Sequence, residues 1–387
     1  VRMSAFQTLY KAYFAQKNTL AATYNFNVKK NVIDAELRNY PSAREASCFA
    51  DNVPVSVYDN LIETIHRHLP AMYRYVALRK KILGVDELHM YDVYTPLVTL
   101  PKRKITFDEA VEYLKKGLAP LGDAYVAEAL AGIKEGWIDI CENRGKRSGA
   151  YSFGSYDSKP FILLNFDGKL DDVFTLVHEM GHSMNSLYTR RTQPYIYGDH
   201  SIFTAEVAST VNENLLMNYL IAHESDPSMM KYLLNHYLEE FKGTVFRQTM
   251  FAEFEKMTHE MAANGETLTA ETLSSKYSDL NALYFGPEMA RDPEIAMEWS
   301  RIPHFYTAFY VYKYATGFSA ATALAANVLS GEKQKVDAYL RFLATGSCDY
   351  PIQLLKDAGV DMSTPEPVEK AMQLFESILD RFEALYA

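Results

Sequence analysis

Cysteine is scarce: Cys48, Cys141 and Cys348 are the only three among 387 residues. Thiols so few and so far apart exclude a disulfide framework and a Cys-type zinc knuckle. Their odd number suits a reducing compartment, so three free, buried thiols in a cytoplasmic protein are expected. No apolar run approaches the ~18 residues of a membrane span, and no signal-peptide core precedes the helical spacing of Leu9, Tyr10, Tyr13 and Phe14. A membrane is not an expected partner. Basic charge is not in excess either, since 39 Lys plus Arg against 49 Asp plus Glu leave a formal charge of −10. That balance repels phosphate backbones and argues against nucleic acid as a partner. Repeats, linkers and low-complexity tracts are also missing. What is there, 48% hydrophobic and 13% aromatic residues, is the composition of a folded globular enzyme. A chain opening on Val1 inside a helical pattern is expected to be the C-terminal part of a longer protein, with an N-terminal segment missing.

Apolar residues fall at three- and four-residue spacing from Met3 to about Asn39, which predicts one long helix or two in succession. Ser56 with Asp59 reads as a capping box opening a helix to Gly84, with an irregularity at Pro70. Thr106 with Glu109 repeats that signature before a helix over 107–118, and another follows from about Gly122 to Lys134. The pattern then changes. Residues 149–156 alternate small and aromatic side chains, and 160–166 form a short apolar run, so two strands are expected there. Asp167 and Gly168 supply a turn, and helical spacing runs from Val173 to about Arg191. Helix follows helix from Phe203 onward, interrupted between Gly286 and Pro303 and ending in a helix over about 367–385. The fold class expected is mainly α. The chain reads as one continuous region over 1–387, helical to about residue 140 and carrying its chemistry in 141–387.

The helix after the strands contains His178, Glu179, Met180, Gly181 and His182, an H-E-x-x-H pattern. Four residues of helix bring both imidazoles to one face about a turn apart, which suits two ligands on one metal. Glu179 sits about 100° round the helix, placed to act on water as a general base without being a ligand. A catalytic zinc needs a third protein ligand, and Glu206, 24 residues beyond His182 at the opening of the next helix, is the candidate. Glu213, seven residues on and on almost the same face, can hydrogen-bond an imidazole from behind. His200, in the intervening loop, is a rival ligand. A metzincin would need His where Tyr188 stands, which excludes that class.

Residues 303–314 concentrate phenols and one imidazole. Such donors, aimed at the oxygen of a carbonyl under attack beside a Lewis acid, would stabilise the charge that develops there.

The runs 145–157, 174–183, 203–210 and 304–312, in that order and spacing, resemble the oligoendopeptidase F family of thimet-oligopeptidase-like zinc peptidases. The resemblance covers the chain from about Tyr40 onward. It implies a large helical, two-lobed, zincin-type protein with a deep channel and a small β-sheet next to the H-E-x-x-H helix. It also implies one Zn2+ per chain and cytosolic cleavage of short unstructured peptides. It places the zinc ligands at His178, His182 and Glu206 and the base at Glu179, the assignment already reached from the residues. It further implies oxyanion donors at His304 and Tyr312. Relatives of the thimet type space two such tyrosines seven apart; here that position is Phe305, so Tyr306 is expected to substitute with a shift. Family members are longer, with an additional N-terminal helical segment, so the chain is expected to be either a fragment or a short member.

The expected reaction is hydrolysis of an internal peptide bond by zinc-bound water, with Glu179 taking its proton. Substrate backbone is expected on the strand edge near 149–153, with Lys146 and Arg147 either reaching its carbonyls or termini or standing as solvated turn charges. Two alternatives remain: a carboxypeptidase or dipeptidase acting at chain ends, and a non-catalytic zinc- or peptide-binding protein.

Overall fold

The computed structural model describes residues 1–99 and 104–386. In chain order the helices are α1 (Arg2–Phe14), α2 (Lys17–Leu37), α3 (Ala43–Phe49), α4 (Val55–Leu83), α5 (Phe107–Gly117) and α6 (Asp123–Lys134). Three short strands follow, β1 (Ile138–Asp139), β2 (Tyr151–Phe153) and β3 (Phe161–Leu163). After them come α7 (Leu170–Thr192), α8 (Ile202–Ala205), α9 (Val207–His223), α10 (Pro227–Glu240), α11 (Arg247–Ala263) and α12 (Ala270–Phe285). The chain closes with α13 (Tyr312–Leu329), α14 (Lys333–Phe342), α15 (Pro351–Asp357) and α16 (Glu366–Ala384). A mainly helical chain with one small sheet is what the sequence pattern requires.

The chain forms two interleaved units, the first from Val1–Thr99, Leu238–Ala315 and Met372–Ala387, the second from Leu100–Tyr237 and Thr316–Ala371. Contacts between segments far apart in sequence define the units, and local composition carries no record of them.

In the first unit, the expected pair of N-terminal helices is α1 and α2. Helix α4 ends at Gly84, whose φ of +63° is the left-handed conformation a C-terminal glycine supplies. The capping box read at Ser56 does not form. Pro54 takes the N-cap position without a side-chain bond, and Asp59 instead accepts from Arg44 at 2.6 Å and Lys256 at 2.7 Å. Nor does Pro70 interrupt α4, which runs through it from Val55 to Leu83. The core is aromatic, with Tyr24, Tyr58, Phe254, Trp299, Phe305 and Phe309 all buried. Cys48 is buried as expected, whereas Cys141 and Cys348 of the second unit are exposed; all three are free.

His259 lies in this core. Its Nδ1 faces the Glu255 carbonyl at 2.8 Å and its Nε2 the Asn31 amide nitrogen at 3.2 Å, so Nδ1–H donates, Nε2 accepts and the ring is neutral. Burial pushes its pKa down to about 4, against about 6.5 in an unfolded chain. The unfolded state thus takes up the proton first. Stability present above pH 6.5 is lost as the pH falls toward 4, by about 3 kcal/mol for this group. Urea titrations at about pH 7.5 and pH 4.5 should show a smaller acid loss in His259→Gln than in the native protein. Equal losses would count against the assignment.

In the second unit the sheet order is β1-β3-β2, with β1 parallel and β2 antiparallel to β3. Both expected strands are found, though shorter. The two-residue strand β1 was missed, because only its pairing with β3 distinguishes it from loop. The capping box at Thr106 and Glu109 forms as expected, opening α5. Helix α9 is buried on nearly every side, with Ser209, Thr210, Asn212 and Asn214 among its buried residues.

Candidate metal centre and active site

Two helices build the centre. Helix α7 carries Asp172 in its first turn, whose carboxylate accepts the N–H of Asp167 at 2.8 Å and of Lys169 at 2.9 Å. It presents His178 and His182 one turn apart. Helix α9 packs against α7 at Gly181, where an added Cβ would stand 2.6 Å from the Ser209 Cα and 2.8 Å from the Ala208 carbonyl oxygen. That close approach sets Glu206, at the junction of α8 and α9, directly against the imidazoles.

The Nε2 atoms of His178 and His182 are 3.2 Å apart, and Oε2 of Glu206 lies 3.3 Å from each. A tetrahedral zinc with ligand distances of about 2.0–2.1 Å requires ligand-to-ligand edges of about 3.3 Å. Two imidazole nitrogens and one carboxylate oxygen at that spacing, with one tetrahedral position left over, fit a catalytic zinc. Among the described residues no other cluster of His, Cys, Asp or Glu was found that could hold a metal.

Glu213 faces Nδ1 of His178 at 3.2 Å, which fixes the ring and leaves Nε2 for the metal. Burial opposes charge on His178, but its bonds to Glu206 and Glu213 outweigh that and raise its pKa well above the usual range. Those between Glu206 and His178 and His182 hold the Glu206 carboxyl well below its ordinary value. Ser209 adds a hydroxyl bond to Glu206 Oε2 at 3.3 Å.

Glu179 is buried, and its Oε2 has no hydrogen-bond partner. Burial raises its pKa, opposed by the nearby His178 and His182 and assisted by Glu206. A buried carboxylate oxygen with no partner, next to the metal ligands, is placed to accept a proton. The backbone N–H of Ser152 on β2 faces the same carboxyl. Its hydroxyl pairs with that of Ser183 on α7 at 2.8 Å. An edge strand therefore runs directly past the candidate base.

His200 is not part of the triangle; burial pushes its pKa down to about 4 and its Nε2 has no partner. Lys146 is also spoken for, its Nζ donating to the carbonyls of Asp139 at 3.0 Å and Cys141 at 2.8 Å. Its expected reach toward substrate is corrected accordingly.

His304, Tyr306 and Tyr312 belong to the first unit. Tyr312 is only 1% exposed, and its hydroxyl faces the Cys48 thiol. Burial raises its pKa far above the usual phenol range. The hydroxyl is thus enclosed within the first unit. Tyr306 is partly exposed and bonded to Thr23 Oγ1 at 3.1 Å. His304 is exposed, stacks on Tyr310 at 5.8 Å and faces the Tyr314 hydroxyl at 3.4 Å. The phenols grouped with His304 are thus Tyr310 and Tyr314. Sequence reading missed them because a run of tyrosines at every second position does not reveal which ones face inward.

The whole arrangement is that of a zincin-type metallopeptidase centre, and the chain belongs to peptidase family M3, whose model matches residues 1–374. It is 54% identical over 385 residues to oligopeptidase PepF of Bacillus subtilis (strain 168), covering 100% of this chain and 58% of that protein. It is 49% identical to the chromosomal oligoendopeptidase F of Lactococcus lactis subsp. cremoris, covering 100% of this chain and 64% of that one. The solved structure of oligoendopeptidase-F from Enterococcus faecium superimposes with a TM-score of 0.82 at 43% identity, over 100% of this chain and 63% of that chain. The chain thus spans less than two thirds of each of these three relatives. Among the described residues no helix is long and apolar enough to cross a membrane.

Proposed function

We propose that this chain carries the active site of a zinc-dependent endopeptidase that hydrolyses internal bonds of short, unstructured oligopeptides. One observation carries the reading: the His178, His182 and Glu206 triangle with edges of 3.2–3.3 Å, beside the unpartnered oxygen of Glu179. Zinc bound there would polarise the scissile carbonyl and acidify the attacking water. Glu179 takes the proton of that water and returns it to the leaving amine nitrogen. Glu213 keeps His178 oriented, and the free edge of β2 holds the peptide extended past Glu179. His304, with Tyr310 and Tyr314, forms a cluster of hydrogen-bond donors within the first unit, and substitution tests its expected oxyanion role.

A buried Tyr312 makes a testable contrast. Tyr312→Phe should leave kcat within about threefold, whereas His304→Ala should lower it by about 10²–10³-fold, the usual effect of removing an oxyanion donor. Comparable losses in both would restore Tyr312 as a donor.

The deciding experiment is hydrolysis of a quenched peptide of about ten residues, blocked at both ends, by zinc-loaded protein. Internal cleavage supports the endopeptidase. Cleavage only of the unblocked peptide would establish an enzyme acting at chain ends, and tight binding without cleavage a peptide-binding protein.

A further inference from the structure

Among the described residues, those other than glycine with a positive φ are Asn39, Asn52 and Phe309. Asparagine tolerates the left-handed region. A bulky aromatic residue there is an outlier that persists only where its surroundings hold it, and such outliers gather at functional sites. Phe309, at φ +55°, lies between the 3₁₀ turn of Pro303–Tyr306 and the start of α13 at Tyr312. The donor cluster therefore flanks it, His304 before and Tyr310 and Tyr314 after.

Several groups of the first unit hold the turn. The Phe309 ring is buried, with its centroid 4.6 Å from that of His259 and 5.8 Å from that of Tyr58. The Ser47 hydroxyl donates to the Ala308 carbonyl at 3.1 Å. The Phe309 N–H donates to Oε1 of Glu255 on α11 at 2.5 Å. Glu255 is the unusual member of the set. It is fully buried, its Oε2 has no hydrogen-bond partner, and among the described residues no cation faces it. Burial pushes its pKa well above the usual carboxylate range, opposed only by the Phe309 N–H, so the group is neutral at pH 7. A core carboxyl with one oxygen unpaired is destabilising and calls for an explanation. Its single bond supplies one, because a buried backbone N–H requires an acceptor.

We propose that Glu255 is a positioning residue for the reaction: by accepting the Phe309 N–H it keeps the chain in the left-handed turn that stacks Tyr310 on His304. This rests on the oxyanion role expected of His304 above. The Tyr310 ring lies within 13° of parallel to the His304 ring, with centroids 5.8 Å apart, and 5.5 Å from the ring of Tyr314. Tyr310 is the next residue after the strained one, so relaxation of Phe309 to a negative φ turns the following peptide plane and carries Tyr310 out of the cluster. Glu255, being enclosed, acts through the backbone and not on substrate.

The test compares Glu255→Gln, which keeps an oxygen acceptor on a neutral side chain of the same size, with Glu255→Leu, which removes it. Values of kcat and KM for a quenched peptide are measured in the native and His304→Ala backgrounds, with zinc content and urea midpoint as checks on the fold. Glu255→Gln should stay within about threefold of the native kcat. Glu255→Leu should lower kcat by about 10–10²-fold at little-changed KM, the scale of a ~1 Å misplacement. With His304 already Ala, the same substitution should cost less than about threefold, because the group it positions is gone. A second readout needs no turnover. In histidine-labelled protein the His304 Cε1–H NMR signal, identified by its loss in His304→Ala, should carry the ring-current shift of the stacked Tyr310. Glu255→Gln should keep that shift, and Glu255→Leu should move the signal toward its position in Tyr310→Leu. If Glu255→Leu does not fold, Glu255→Asp, whose shorter arm draws the acceptor back from Phe309, should give the same changes to a smaller degree. An equal loss in both backgrounds, Gln as damaging as Leu, or an unmoved His304 signal overturns the proposal. A native kcat in His304→Ala would fail the oxyanion reading instead, and the His304 signal would still decide whether Glu255 holds the cluster.

Discussion

Glu179→Gln should bind zinc as the native protein does and lose turnover by about 10⁴-fold, the upper end of what a positioned acid–base group contributes. The substitution keeps the volume and shape of a buried side chain, so the packing of α7 is preserved. It removes the one thing the mechanism needs, an oxygen that can hold a proton between water and amine. Glu179 belongs at that upper end because in the proposed mechanism it acts twice, as base toward water and as acid toward the leaving nitrogen. The three ligand atoms come from other residues, so metal content, measured by elemental analysis after dialysis, should stay at one per chain. Activity within tenfold of native would refute the assigned base. Loss of both metal and activity would show that Glu179 supports the centre instead of serving it.

Gly181→Ala should be the most damaging small substitution in the second unit. Its Cβ would stand 2.6 Å from the Ser209 Cα and 2.8 Å from the Ala208 carbonyl oxygen, both backbone atoms that no rotamer change can move. Helices α7 and α9 must separate or slide, at a cost of about 3 kcal/mol, the upper part of the usual range for overpacking. The consequence reaches the metal, because Glu206 lies one turn before Ser209 and follows any displacement of α9. Zinc affinity, measured by competition with a chelator, should fall at least tenfold along with the urea midpoint. Gly243→Ala is the matched control: an added Cβ there meets nothing within 4 Å, so stability should hold or rise, as helix propensity favours Ala. Unchanged zinc affinity in a destabilised Gly181→Ala would mean that the two ligand sets are not coupled through this contact.

That glycine also marks the limit of sequence reading. As a variable position of H-E-x-x-H, Gly181 carries no signal of its own; its meaning comes from a helix 28 residues further on lying against it. The candidate ligands were legible because their chemistry is written in local spacing. His178 and His182 lie one helical turn apart, and Glu206 and Glu213 lie two turns apart on the next helix. The phenols were not. Tyr306, Tyr310, Tyr312 and Tyr314 are alike as letters, and only packing against Cys48, Thr23 and His304 distinguishes inward from outward. Asp59 follows the same logic: its spacing from Ser56 suggests a cap, yet two cations from distant segments, Arg44 and Lys256, claim its carboxylate.

Helix periodicity, the two-strand interruption, the candidate metal ligands and the candidate base were determined by the sequence itself, because each depends on residues within a few turns of one another. The tertiary structure decided how the chain divides into units, which tyrosines are open to a ligand, and how closely α9 approaches α7. These depend on contacts between segments tens to hundreds of residues apart, whose partners no local pattern names.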